Sequence, residues 1–453
     1  MSDIIAAIST ALSPSGIGVI RLSGEHCAQV ADRVLRPVSG LPLSEAPNRK
    51  LILADLLDRQ GRVIDRVLAV HTRGPRSYTG EDTVELQCHG SPAVLTETLS
   101  HLFVQGARQA GPGEFTKRAF LNGRMDLTAA EAVIDLIEAE TADAAANAAG
   151  QVGGALLRKL GPVYESLLSV MSHFHAVLDY PDEDIDDFQL EEYGALLLEQ
   201  QRVLDQLLST CRRGQVVKNG VGAVILGRPN AGKSSLLNAL AGYERVIVTD
   251  IPGTTRDTVE EKIRLGGLVL RLMDTAGIRD TGDSVERLGV ERAIAAAKDA
   301  DLALVVIDGS APLTEEDRRA MDAARTARHA ICILSKSDLP QTVDPAELGF
   351  DTVLSVSAVT GEGIERLAPA VETIFGSEVP CDGTLLTNQR HETAIRAARD
   401  AIVRTRETME LGATPDAVLL DVEEALEAIA GVTGRSMRED MIGGIFSRFC
   451  VGK

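Results

Sequence analysis

The chain has 453 residues, 44% of them hydrophobic and 25% charged, which is more than one hydrophobic core serves and too apolar for a disordered chain. A net charge of −20, no tryptophan and 3% aromatic residues exclude RNA binding through a generally basic field or a base-stacking surface. Any contact with RNA then needs a local basic patch or a partner protein.

Residues 1–118 read as α+β, with "GIGVIRLSG" and "RVLAVHT" as strands, Gln60-Gly61 in a turn between two apolar runs, and "SPAVLTETLSHLF" as a helix with Pro92 in its first turn. Residues 119–218 turn helical. "TAAE" at 128–131 predicts a capping box, and Leu156, Leu160, Val163, Leu167, Met171, Phe174 and Leu178 recur at the spacing of one helix face. Pro162 is expected to kink or restart that helix. Over 219–376, the β-branched runs "VGAVIL", "LVLRLMD", "LALVVI", "AICIL" and "TVLSVS" alternate with helical segments, which predicts a mostly parallel sheet with helices on both faces. Residues 377–453 return to helix, so the α/β domain reads as an insertion into a helical one. Cys27, Cys88, Cys211, Cys332, Cys381 and Cys450 form no C-x-x-C pair, which argues against a zinc or disulfide framework. With no basic leader and no bilayer-length apolar run, the expected location is the cytoplasm, away from membranes.

"GRPNAGKS" at 227–234 is G-x-x-x-x-G-K-S between a predicted strand and a predicted helix, the context a phosphate loop requires. Gly227 and Gly232 let backbone N–H groups turn toward phosphates. Lys233 supplies a cation and Ser234 a magnesium ligand. Contacts are expected from Asn230, Ala231, Gly232, Lys233, Ser234 and Ser235, and from Asp274, Thr275, Ala276 and Gly277 of "DTAG". Between them lie Thr249, Asp250, Ile251, Pro252, Gly253, Thr254 and Thr255, the last a second magnesium hydroxyl. In "SKSD" at 335–338, Asp338 accepts from guanine N1–H and the 2-amino group, donors that adenine lacks, so the nucleotide is GTP. Lys336, Ser357 and Ala358 complete the base pocket. Ser335 stands where the usual pattern has Asn, which removes an amide contact. Ile278 follows "DTAG" where Ras-like enzymes carry a water-orienting glutamine, and no arginine finger is identifiable. A monovalent cation against Asn230 is expected to supply that charge.

Beyond these motifs, "SYTGEDTVELQCHG" (77–90), "GPGEFTKRAFLNGRMDLTAAEAVIDLI" (111–137), "LDYPDEDID" (178–186) and the terminal "FCVGK" resemble the MnmE (TrmE) family of tRNA modification GTPases, over essentially the whole chain. The resemblance implies an N-terminal tetrahydrofolate-binding and dimerisation domain, a split helical domain and an inserted Ras-like P-loop GTPase domain. It implies a homodimer that works with the flavoprotein MnmG (GidA). Together they place an aminomethyl or carboxymethylaminomethyl group on carbon 5 of the tRNA wobble uridine, with 5,10-methylene- or 5-formyl-tetrahydrofolate as one-carbon donor. By the same resemblance, potassium falls on Asn230, Thr249, the Ile251 carbonyl and Thr254, magnesium on Ser234 and Thr255, and a water-orienting role on Glu286. The folate positions fall on Arg21, Glu85 and Arg124, with Lys453 nearby; the family commonly has Lys at the position of Arg124. In this reading Phe449 and Val451 anchor the tail, and Cys450 presents a thiol to the one-carbon donor.

Plainer readings stand beside these. Arg21, Glu85 and Glu286 also suit ordinary surface, and Cys450 a small buried hydrophobe. "GVTG" at 431–434 matches the G-x-x-G of a KH loop but follows an acidic helix, and reads as a helix-ending turn. Two rival functions are a ribosome-assembly GTPase without one-carbon chemistry and a folate-dependent transferase with a regulatory GTPase domain.

Overall fold

The computed structural model describes residues 3–179, 188–243, 261–273, 296–376, 380–412, 414–435, 445–447 and 449–452. They pack as two units. One combines residues 1–137, 148–204 and 393–453; the other combines 138–147 and 205–392.

The first unit is built on a seven-stranded sheet in the order β3-β4-β5-β6-β2-β1-β7. The strands are β1 (Ile5–Ile8), β2 (Ser15–Ser23), β3 (Leu35–Pro37), β4 (Ile52–Leu57), β5 (Val63–Thr72), β6 (Thr83–Gly90) and β7 (Arg108–Gln109). Alternation sends Ile20, Leu22, Ala54, Leu56, Val67, Ala69, Val84 and Leu86 to one face, where they pack on the helices Cys27–Asp32 and Pro92–Val104. On the opposite face Ile5 and Ala7 pack with Phe115 of the helix Glu114–Leu121. A charge network fixes that helix. Arg118, nine-tenths buried, donates to the Asp3 carbonyl at 2.9 Å and to the carboxylates of Asp3, Glu81 and Glu114 at 2.7, 2.9 and 3.1 Å. Burial alone would raise Glu114, but donors from Arg108, the Gly111 N–H and Arg118 outweigh it and hold the carboxyl below its ordinary range.

The helices Ala155–Asp179 and Pro415–Thr433 lie along each other in this unit. Of the expected stripe, Leu156, Leu160, Val163, Leu167 and Phe174 are buried, while Leu178 is exposed and Val170 joins the core. The helix does not restart at Pro162. That residue is exposed, so water can satisfy the Arg158 carbonyl that loses its partner, and the buried stripe holds the helix together. The capping box also falls elsewhere. The helix Leu127–Ile137 starts before Thr128, and the Asp126 carboxylate accepts from the Ala129 N–H at 3.0 Å, so the cap lies two residues earlier. Gly434 ends its helix at φ 84°, the helix-ending turn expected of "GVTG".

The second unit holds a six-stranded sheet, β13-β12-β11-β8-β10-β9, from β8 (Val221–Leu226), β9 (Glu261–Leu265), β10 (Leu268–Leu272), β11 (Leu302–Asp308), β12 (His329–Ser335) and β13 (Val353–Ser355). All neighbouring pairs are parallel except β9 with β10. Both faces are covered, as the continuous apolar runs require. Val221, Ala223 and Ile225 pack with Leu236, Leu240 and Val371 on one side, and Val224 and Leu226 with Ala320, Met321 and Ala324 on the other. No helix among the described residues is long and apolar enough to cross a membrane.

Candidate functional site

The phosphate loop joins the buried strand β8 to the helix Lys233–Tyr243, so the helix N-terminus faces the loop. Gly227, Asn230 and Gly232 adopt φ of 146°, 60° and 102°. At Gly227 a Cβ would come within 2.4 Å of the Val306 carbonyl oxygen, so only glycine fits. Asn230 is a residue type that tolerates the left-handed region. Lys233 Nζ lies over the loop, 2.9 Å from the Gly227 carbonyl and 2.8 Å from that of Arg228. Those neutral acceptors are weaker than phosphate oxygens, so the ammonium is placed to exchange one for the other.

The base loop follows β12. Ser357 Oγ donates to Asp338 Oδ1 at 2.6 Å, which orients the carboxylate. Lys336, at φ 59°, sends Nζ to Asp308 Oδ2 at 2.6 Å. Burial would raise Asp308, but Lys336 and Ser310 outweigh it and hold its carboxyl below the ordinary range. Arg228 Nη2 stands 3.5 Å from the same oxygen of Asp308, so this carboxylate joins a cation of the phosphate loop to one of the base loop. Sequence reasoning missed Asp308, although its place at the end of "LALVVID" puts it beside the other strand-end loops.

Ser335 is buried, with Oγ 2.5 Å from the Ala231 carbonyl and 3.1 Å from that of Ile307. The side chain that replaces the usual Asn therefore turns to the phosphate loop. Thr249, Asp250, Ile251, Pro252, Gly253, Thr254, Thr255, Asp274, Thr275, Ala276, Gly277, Glu286 and Lys453 lie outside the described residues. Asn230 sits on the loop, and Lys233 and Ser234 in the first turn of the helix after it, where nucleotide and cations are expected, while Ser235 and Ala358 make no side-chain hydrogen bond or ion pair among the described residues. No group of three or more His, Cys, Asp or Glu is placed to hold a metal among the described residues.

In the first unit, Arg21 and Glu85 are register partners on β2 and β6, so their side chains share a face. Arg21 Nε and Nη2 both reach Glu85 Oε1, at 2.9 and 2.8 Å. The guanidinium carbon lies 5.3 Å from the centre of the Tyr78 ring and 5.8 Å from that of Phe115. Arg124 Nε donates to the Ser77 carbonyl at 3.1 Å, one residue before the Tyr78 that Arg21 lies against. Arg21 is thus paired with the predicted carboxylate, and Arg124 is held by the segment that carries Tyr78.

The tail docks on the same region. Phe449 packs on Phe446 at a ring separation of 5.0 Å, in a cluster with Leu127 and Ala130. The Cys450 carbonyl accepts from the Gly113 N–H at 3.2 Å, two residues before Phe115, and the Gly452 carbonyl from Ser9 Oγ at 2.9 Å. Val451 does not anchor by burial. Its side chain is exposed, and its backbone bridges to Pro112 instead. Cys450 is exposed, which removes the buried-hydrophobe reading. Cys27, Cys88 and Cys332 are buried, and burial pushes Cys88 and Cys332 up to about 12.

The profile of the TrmE N-terminus matches residues 4–124, and that of the MnmE helical domain matches residues 127–450. Relatives called "tRNA modification GTPase MnmE" are 41% identical in Roseiflexus sp. strain RS-1 and 42% identical in Symbiobacterium thermophilum, each covering 100% of this chain and 99% of its own. The G domain of the T. maritima FeoB iron transporter, 27% identical, covers 35% of this chain and 99% of its own, at a TM-score of 0.26. Matched by family profiles over both its N-terminal and helical parts, and by relatives end to end, the chain belongs to the MnmE (TrmE) family of tRNA modification GTPases.

Proposed function

We propose that the chain hydrolyses GTP to drive modification of tRNA at carbon 5 of the wobble uridine, as a homodimer acting with an MnmG-type flavoprotein and a tetrahydrofolate one-carbon donor. The observation that carries this reading is the docked tail, which sets the exposed Cys450 beside the start of the helix whose Phe115 lies against the Arg21–Glu85 pair.

The residues fit the groups they would hold. Glu85 receives Arg21 on Oε1 and keeps lone pairs to accept N–H groups of a pterin ring, with the half-buried Tyr78 beside Arg21, while Phe115 is buried and supports the pair from the core. The folate would supply the one-carbon unit. Arg124 adds a cation suited to the glutamyl tail. In the nucleotide unit, Lys233 gives up loop carbonyls for phosphate oxygens, Ser234 is the magnesium ligand, and Asp338 accepts the two guanine donors. Potassium against Asn230, with Thr249, Ile251 and Thr254, would offset charge that builds on the phosphates, and Glu286 would orient the attacking water.

Nucleoside analysis of bulk tRNA from cells lacking the protein tests this. Loss of the carbon-5-substituted wobble uridines is expected, and an unchanged profile overturns it. Hydrolysis equally fast in sodium and in potassium would remove the potassium role alone.

A further inference from the structure

Residues 33–76 hold nine arginines and lysines against four acids, a net +5 within a chain of net −20. All nine cations are exposed. Arg33 stands apart, donating to the Gln105 carbonyl. The other eight divide between the two ends of the β4–β5 ladder.

Toward the hairpin end every cation has a carboxylate. Arg36 and Arg66 flank Asp55 at 3.3 and 2.9 Å, Arg62 meets Asp58 at 2.7 Å, and Arg59 stands 4.0 Å from Glu97. At the other end, Arg49 and Lys50 precede β4, and Arg73 and Arg76 follow β5. None of these four forms an ion pair with a carboxylate among the described residues. Two are held by carbonyls instead: Arg73 Nη2 donates to Ser44 and Ala46 at 3.1 and 3.2 Å, and the Arg49 guanidinium to the Arg76 carbonyl. The two turns are themselves tied, Arg49 N–H to the His71 carbonyl and Arg73 N–H to Asn48 Oδ1, both at 2.9 Å. The nearby Asp82 is occupied by the Gly74 N–H at 2.9 Å and faces His71. Carbonyls fix a guanidinium without neutralising it. The result is a group of four cations with its charge intact, two of them fixed in place, in a protein whose average field repels polyanions.

We infer that the paired turns carrying Arg49, Lys50, Arg73 and Arg76 are a docking surface for the phosphate backbone of RNA. This rests on the tRNA reading above. RNA is favoured over an anionic membrane because residues 47–51 and 73–76 carry four cations but, prolines aside, a single exposed aliphatic side chain, Leu51, and no aromatic one, too little apolar surface to insert into lipid. Each phosphate contact releases condensed counterions, so four contacts contribute about 3 to the slope of log affinity against log salt.

The test measures binding of the full chain to unfractionated tRNA by fluorescence anisotropy, across about 50–200 mM salt. The variant R49Q/K50Q/R73Q/R76Q is expected to lose tenfold or more in affinity and about 3 in slope. K50Q/R76Q, whose side chains hold no turn together, should lose about half that slope. R59Q/R62Q should leave the slope unchanged, because arginines already paired with Glu97 and Asp58 release no counterions. The proposal is overturned by an equal slope in all four proteins, by equal losses in R59Q/R62Q and K50Q/R76Q, by no tRNA binding of the unaltered chain at low salt, or by phosphatidylserine vesicles binding as tightly as tRNA. A slope that no variant alters removes this surface and leaves the tRNA reading standing. Carbon-5-substituted wobble uridines surviving in normal proportion in knockout cells would mark failure of that reading instead.

Discussion

Lys233 reaches the carbonyls of residues six and five positions before it, whereas Ser9 reaches Gly452, 443 positions away. The phosphate loop gets its shape from a strand end, two glycines and a helix start within a dozen residues. The proposed N-terminal site draws on the register of β2 with β6 and on the docking of the last residues on Gly113 and Ser9. A locally encoded site loses function when one side chain is removed. A site assembled from distant segments loses it when packing far from the chemistry is weakened.

The largest effect should come from Lys233→Ala. Removing the cation that serves the phosphates is expected to lower GTP hydrolysis by about 10²–10³-fold, measured by phosphate release, with the melting temperature nearly unchanged. A large loss of stability would break the comparison by making the loop a structural support. Asp338→Asn should cost about a hundredfold in GTP affinity, because two charge-assisted hydrogen bonds to guanine are lost, and should admit xanthosine triphosphate. Equal loss for both nucleotides would show that Asp338 acts through Ser357 and not on the base.

Phe449→Ala probes the other kind of site. Truncating a buried aromatic costs about 3–5 kcal/mol, here concentrated where Phe446, Leu127 and Ala130 hold the tail. Hydrogen exchange should rise at the Gly113 N–H, whose acceptor is the Cys450 carbonyl. tRNA modification is expected to fall while GTP hydrolysis keeps its rate. If hydrolysis fell in parallel, the two sites would be coupled and their separation would fail.

The same contrast explains what could be read in the sequence. "GRPNAGKS" and "SKSD" were legible because spacing and neighbouring elements suffice to place them, and the apolar runs disclosed five of the six strands in the parallel sheet but only β2 and β5 of the seven in the first, leaving out β6 between them. Asp126 displaced Thr128 as cap because two residues of similar chemistry competed for one helix start, and only the backbone N–H that each can reach decides. Pro162 was tolerated because it faces solvent, which depends on the rotation of the helix. The Val451 bridge, the Arg118 network and the docking of the tail on Ser9 depend on tertiary register, which no local pattern carries.

The smallest effect tests a residue that belongs to both classes. Ser335 sits in a local motif, yet its hydroxyl crosses 104 positions to the Ala231 carbonyl of the phosphate loop. Ser335→Ala removes one hydrogen bond worth about 1 kcal/mol, a factor of about five in affinity. Because the contact is to loop backbone and not to the base, GTP and GDP should weaken alike in direct binding measurements, and Ser335→Thr, which keeps the hydroxyl, should restore both. In an Asp338→Asn background, the same fivefold loss should appear for xanthosine nucleotides. A loss confined to guanine nucleotides would mean that Ser335 contacts the base after all, and the link from base loop to phosphate loop would then rest on Asp308 with Lys336 and Arg228 alone.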